Sequence, residues 1–465
     1  MKILAECRDD NEVKFVRPLL SDELSLCRCI FTASRLEISP PCLPIDAIPS
    51  FVRAKRRIYM TATLADDSVL ITDFGADQEA VAKPITPRTA SDLGERMILV
   101  PQAINTDLTD EEIKNFVSGY ARDLNVVVIV PSAARAEFWK DVVTRDFILT
   151  AENLQTGVGR LKSRSGHLAV MVNKYDGVDL PDGACRLLVL AGVPDTRRLI
   201  DRYEQGVLKA SEREQVRQVQ RIEQGMGRAI RSNEDYCVVM LMGQRLISHL
   251  YATGAVRHFS PATARQLALS TQVSEQIANQ GLAAMAEPIS DLLGRSSQWV
   301  SAARNSLIDV KYASSTPIDP TAVLQRKAFD LARRGRFEGA EKALREAVEN
   351  TSDKILKGWL LEQVAATVHP QDSVRSQTVL LAANDLNAGV TKPLAGISYT
   401  RLNTSVMDQA RESSSHLSIY SDANEMLIAL NGLLADLIFQ PDTSDDFEQA
   451  LKEIGLRIGF RSPAS

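Results

Sequence analysis

Arg213, Arg217, Arg221, Gln224, Arg228 and Arg231 follow one another at intervals of three and four residues. On a helix of 3.6 residues per turn, such intervals keep all six on one face. Guanidinium groups set side by side repel one another unless an anion lies across them, and their planar forks match phosphate oxygens. The row therefore asks for phosphate, either of a nucleotide or of a nucleic-acid backbone. The alternative is a solvated basic face. Gly225 and Gly227 interrupt the row. Each costs a helix about 1 kcal/mol relative to Ala, which suits a close backbone approach there. An apolar run, residues 236–242, follows at once.

The row ends in Gln224-x-x-Gly227-Arg228-x-x-Arg231. This pattern resembles motif VI of superfamily 2 helicases. Arg57-Ile-Tyr-Met-Thr61-Ala-Thr63-Leu64 resembles their motif III. Val126-Val-Val-Ile-Val-Pro131-Ser132 resembles motif IV, and Asn173-Lys174-Tyr-Asp176-Gly177-Val-Asp179-Leu-Pro181 resembles motif V. The four stand in the family's order over about residues 50 to 245. The chain is thus similar to the DEAD/DEAH-box group that contains the DNA-repair helicases and their bacterial relatives.

The resemblance implies roles. Arg228 and Arg231 match arginine fingers, which stabilise the charge that develops on a transferred γ-phosphoryl group. Gln224 would orient the attacking water or touch the phosphate. Gly177, Asp179 and Gly227 would contact the nucleotide and the neighbouring lobe. Thr61 and Thr63 would couple hydrolysis to strand movement. Ser132 and Lys174 would face a nucleic-acid backbone through a hydroxyl, loop amides and a charge. Plainer readings stand beside these: Asp179 as a turn acid, Ser132 as a helix N-cap, Thr61 and Thr63 as β-formers. Lys162, Arg164, Arg197, Arg198 and Arg202 could line a strand-binding groove, or be solvated.

The family holds ATP between two RecA-like lobes, the first supplying a P-loop lysine and a Walker B acid. The sequence has no Gly-Lys pair and no Asp-Glu-x-His or Asp-Glu-Ala-Asp box. Asp22-Glu23-Leu24 lacks a preceding apolar strand, and Asp110-Glu111-Glu112 opens a helix, where acids suit the dipole. The expectation is a chain that begins near the end of the first lobe and carries the second. It would bind ATP and Mg2+ only with a complementing first lobe and hold no cofactor alone. The partners implied are DNA or RNA, DNA favoured, and a first-lobe helicase partner or missing N-terminal half. The rivals are a non-catalytic DNA- or protein-binding module derived from a helicase lobe, and a degenerate fragment.

The elements that must position these residues are legible as alternation. Short apolar runs occur at residues 97–100, 126–130, 168–172, 187–191 and 236–242, with helical stretches between them at 110–122 and 133–143. Buried strands alternating with helices mean a parallel sheet covered on both faces, with functional loops at the strand carboxyl ends. The fold class expected is α/β, a RecA-like second helicase lobe followed by an α-helical C-terminal domain. The divisions expected are 1–80 as a remnant of the first lobe with motif III, 81–258 as the RecA-like lobe, and 259–465 as a helical accessory domain. Residues 58–61 read as a buried strand. Around Gly335 the residues Leu331, Ala332, Phe337, Ala340, Leu344 and Ala347 resemble one helix–turn–helix repeat, without a clear second copy.

The bulk properties agree with a soluble globular chain of two or three domains: 465 residues, 45% hydrophobic, 24% charged. A net charge of −5 excludes a globally basic binder, so nucleic-acid contact must come from a local groove. No apolar run approaches the roughly 20 residues a membrane helix needs, and a cytoplasmic location is expected. Cys7, Cys27, Cys29, Cys42, Cys185 and Cys237 match no zinc or cluster spacing. Some related repair helicases carry a four-cysteine cluster, in a part of the family that this chain does not reproduce. No metal is expected.

Overall fold

The structure is a computed structural model that describes residue 14 and residues 16–60, 67–86, 93–175, 177–196, 198–209, 211–230, 232–278, 280–312, 318–396, 403–404, 409–439 and 443–461. A small antiparallel hairpin, β1 (Arg28–Phe31) with β2 (Leu36–Ser39), comes first. The central sheet follows, built from β3 (Glu95–Leu99), β4 (Val126–Val130), β5 (Ile148–Leu149), β6 (Leu168–Val172), β7 (Leu187–Ala191) and β8 (Tyr236–Met242). Its order is β3-β8-β7-β4-β6-β5 and every pairing is parallel.

The strands are apolar throughout because both faces are covered. Val127, Ile129, Ala169, Met171, Leu188, Leu190, Val239 and Leu241 face one core, which receives Val219, Ile222 and Met226 from the helix Glu212–Met226. Val126, Val128, Val130, Val170, Val189, Val238 and Met240 face the other, which receives Ile113, Val117, Trp139, Ile289, Leu292 and Trp299. The alternation along each strand follows from side chains pointing to opposite faces. Part of the second layer, the helices Ala286–Leu293 and Ser297–Ile308, comes from residues beyond 258.

Helices dominate the rest of the described C-terminal region. Pro320–Arg333 and Phe337–Glu349 form the expected helix–turn–helix, turning at Gly335 with φ +70°. A second antiparallel pair, Lys354–Val368 and Ser373–Leu386, packs on the first, with Val364, Val368 and Leu380 meeting Ala340 and Leu344. The sequence hides this second copy because its turn is His369-Pro370-Gln371-Asp372 rather than a glycine turn.

Residues 58–60 correct an expectation. They form no strand, and Ile58 and Met60 are 85% and 92% exposed. An apolar run becomes a buried strand only where a sheet receives it. The nearest sheet in sequence, β1–β2, ends at Ser39.

Candidate functional site

The helix carrying the arginine row starts where expected. Ser211 caps it, its hydroxyl accepting from the Glu214 amide at 3.3 Å, and Glu212 and Glu214 lie in the first turn, where the helix dipole favours acids. The helix stops at Met226. Arg228 sits in the 3₁₀ turn Gly227–Ala229, so the single six-residue face expected from the spacing breaks before Arg228. Arg231 lies outside the described residues, as do Thr61 and Thr63.

The first half of the row is already neutralised. Arg213 lies 4.0 Å from Asp319, donates to the Gln325 amide oxygen at 3.4 Å, and sits 5.1 Å from the Trp359 ring centre. Arg217 is 3.6 Å from both Glu204 and Glu214. Burial pushes the Glu214 carboxyl up, and the charge on Arg217 opposes that. For Arg213 and Arg217 the requirement for an external phosphate is therefore corrected: the chain supplies its own carboxylates. Arg198 and Arg202 are likewise paired, with Glu37 at 3.0 Å and Asp195 at 3.4 Å.

The second half of the row meets the loop after β6. The Asn173 amide donates to the Val130 carbonyl at 2.7 Å, closing the end of β6 onto β4. Asn173 and Gly177 adopt left-handed φ of +51° and +70°, which folds the loop back over the sheet end. Tyr175 is buried beneath it, its hydroxyl donating to the Gly192 carbonyl at 3.2 Å after β7. A Cβ at Gly225 would stand 2.8 Å from the Tyr175 ring. Gly225 is thus the close approach that the glycine pair suggested. At Gly227 nothing lies within 4 Å of such a Cβ, so no steric demand acts there.

Three hydrogen bonds tie the elements together. The Leu180 amide donates to the Arg228 carbonyl at 3.2 Å. Arg228 Nη1 donates to the Val178 carbonyl at 3.4 Å, and its Nε to the Gln224 carbonyl at 3.0 Å. Arg228 and Gln224 are half-buried, while Gly177 and Asp179 on the facing loop are exposed. Five sequence-selected positions, Gly177, Asp179, Gln224, Gly227 and Arg228, therefore share one edge of the lobe. Lys174 begins the same loop and is half-buried. Ser132 stands at the end of β4, where its hydroxyl accepts from the Arg135 amide at 3.3 Å as the N-cap of Ala133–Glu137.

This edge lies at the carboxyl ends of the strands, where the chain crosses from β6 over β4 to β7. In open α/β sheets such a reversal of strand order leaves a crevice for ligands. At the other side of the same sheet end, Gln102 bridges the segments that follow β3 and β8. Its Oε1 accepts from the Gly243 amide at 2.8 Å and its Nε2 donates to Asp110 at 2.9 Å.

Sequence reasoning missed a buried polar network behind the row. Glu223 accepts from the Ser260 amide at 3.1 Å and from the hydroxyls of Ser260 and Thr263. Arg96 donates to Thr263 at 2.9 Å and to Gln266 at 2.7 Å. Burial lowers the Arg96 pKa, and Glu223 works against that. The network joins β3, the row's helix and the helix Pro261–Gln276. Only the polarity of Glu223 on an otherwise inward position hints at it. Among the described residues, no group of three or more His, Cys, Asp or Glu side chains could hold a metal, and no helix is long and apolar enough to cross a membrane.

The family model for the helicase C-terminal domain matches residues 146–262. A solved structure titled XPD helicase is similar at 17% identity, with a TM-score of 0.34, over 55% of this chain and 54% of that one. The chain thus spans about half the length of that structure. No curated protein sequence matches the chain. The matched segment starts just before β5 and takes in the β6 loop, the arginine row and β8, the elements that the hydrogen bonds above hold together. Residues 146–262 of this chain are thus similar to helicase C-terminal domains, and they lie within a six-stranded parallel α/β lobe.

Proposed function

We propose that this chain is the second-lobe portion of an ATP-dependent DEAD/DEAH-box nucleic-acid helicase of the repair-helicase-like branch. In this reading Arg228 and Arg231 reach the γ-phosphate of an ATP–Mg2+ complex held by a first lobe, and Gln224 orients the water. Gly177, Asp179 and Gly227 flank the nucleotide. Ser132 and Lys174 contact a nucleic-acid backbone, DNA by preference, and Thr61 and Thr63 couple the two events. The work is done in the cytoplasm, and the chain alone is inactive. The observation that supports this most is the bonding of the β6 loop to the Gln224–Arg228 turn, inside the segment that matches the helicase model. That bonding holds Gly177, Asp179, Gln224, Gly227 and Arg228 along one edge of the lobe.

A second reading is a non-catalytic DNA- or protein-binding module. It draws on Arg213 and Arg217, whose charges are spent within the chain. One experiment separates the two. The purified chain is assayed for nucleic-acid-stimulated phosphate release, alone and with a separately produced P-loop lobe. The first reading expects release only in the mixture. Release by the chain alone refutes the claim that it is inactive by itself, and no release with any first lobe leaves the binding module.

A further inference from the structure

Residues 47–65 contain no acid, and Arg53, Lys55, Arg56 and Arg57 fall inside that stretch. All four are exposed, and none forms an ion pair with the described residues. This contrasts with Arg213 and Arg217. The backbone beside them carries aromatic rings that face each other. Phe51 and Phe74 stack at 6.4 Å between ring centres, and Tyr59 packs on Phe74 at 5.8 Å. Arg57 lies 4.4 Å over the Phe51 ring and donates to the Phe51 carbonyl at 2.9 Å and 3.2 Å. It thereby fixes the rings in place. Around them Val52, Ile58 and Met60 are exposed. A soluble chain rarely leaves so many apolar side chains together in water.

We infer that Phe51, Tyr59 and Phe74, with Arg53, Lys55, Arg56 and Arg57, form a platform for single-stranded nucleic acid. Every base offers a π-face, so aromatic rings accept bases of any sequence, and flanking cations take the phosphates. Charge decides for this occupant over an apolar protein surface: the stretch 47–65, which supplies Phe51 and Tyr59, carries four cations and no acid, on a chain whose net charge is −5. The platform deepens the nucleic-acid part of the reading above and gives the strand a site outside the β4 and β6 loops.

The test is fluorescence anisotropy of the full chain with labelled 20-nucleotide single-stranded DNA and RNA, over a series of salt concentrations. Lys55→Ala with Arg56→Ala should weaken binding at least 10-fold. The slope of log affinity against log salt should become shallower by about 1.4, at about 0.7 per single-strand phosphate contact. Tyr59→Ser should weaken binding about 5- to 100-fold, as expected for loss of one stacked base. Tyr59→Phe should retain it, which controls for folding. Unchanged affinity and salt slope in the double variant overturn the platform. So does a wild-type chain that binds neither oligonucleotide, or one that binds only anionic phosphatidylserine vesicles. Phosphate release with a first lobe is measured separately, so loss of the platform leaves the motor reading standing.

Discussion

Leu180 and Arg228 are joined backbone to backbone, the Leu180 amide donating to the Arg228 carbonyl at 3.2 Å. The bond belongs to the main chain, so it survives any change of the Arg228 side chain. The β6 loop and the 3₁₀ turn are therefore tied at the main chain as well as through the guanidinium, and the main-chain tie remains when the guanidinium and its bonds to the Val178 and Gln224 carbonyls are removed.

That separation makes Arg228→Ala a clean variant. With a complementing first lobe, ATP turnover should fall on the order of 10³-fold, with oligonucleotide affinity within about threefold of wild type. Arg213→Ala should do the reverse. It removes the cation beside Asp319, which keeps its hydrogen bonds from Thr321, and one of the two cations over Trp359, lowering the melting temperature while turnover stays near normal. Phosphate-release kinetics beside thermal melts decide it. Equal loss of hydrolysis and binding in Arg228→Ala would mark a backbone-binding residue instead.

The two glycines should part company. Gly225→Ala puts a methyl 2.8 Å from the Tyr175 ring and 3.4 Å from Leu190. The overpacking, of about 1–3 kcal/mol, exceeds the roughly 1 kcal/mol gained in helix propensity. Gly227→Ala meets nothing within 4 Å and has φ −75°, so it should be neutral or slightly stabilising. Urea denaturation of both variants checks this, and a Gly225→Ala protein as stable as wild type would contradict the close approach.

The Arg96–Thr263–Glu223 network should behave as a unit. Thr263→Val removes the hydroxyl that both charged groups share and should cost about 3 kcal/mol, as breaking a buried charged network does. Adding Glu223→Gln to it should cost less than the sum of the single changes. A double-mutant cycle by chemical denaturation measures the coupling, and strict additivity would argue against a shared network.

Acid should weaken the lobe through His249. Burial lowers its pKa from 6.5 to about 4, and its buried Nε2 has no hydrogen-bond partner among the described residues. Above pH 6.5 the imidazole is neutral whether the chain is folded or not, so its contribution is full there. Between pH 6.5 and about 4 the unfolded chain binds a proton that the folded one refuses, and stability falls. Glu214, whose carboxyl is raised by burial, acts in the opposite sense. The difference between wild type and His249→Leu isolates the histidine. The gap between the two melting temperatures should be constant above pH 6.5 and shift in favour of the leucine variant below it, and curves that stay parallel down to pH 4 would refute this.

Much of this fold could be read from the residues. Val126–Val130, Leu168–Val172, Leu187–Ala191 and Tyr236–Met242 are strands at the limits of their apolar runs, because a strand buried on both faces needs no alternation to announce it. Ile148–Leu149 was invisible, since two residues on a sheet edge carry no pattern. Residues 58–60 misled for the opposite reason: they are apolar, yet they serve a surface. Within the site, Gly225 could be picked out by its cost to the helix. The pairing of Arg213 with Asp319, or of Glu223 with Thr263, could not, because partners distant in sequence leave no mark on local spacing.

Ile428 lies in the core beneath the sheet, and Asn424 on the same helix, Ala423–Asp436, donates to the Ala103 carbonyl at 2.9 Å. The lobe's core is thus closed by a segment made long after residue 262. At about 5–20 residues per second, a ribosome needs on the order of ten to thirty seconds to travel from 262 to 428. Through that interval the nascent sheet has an unsealed wall at Leu246, Ile247 and Leu250, beside which Ile428 will sit. The birth of this lobe, and not only its finished state, therefore depends on the far end of the chain.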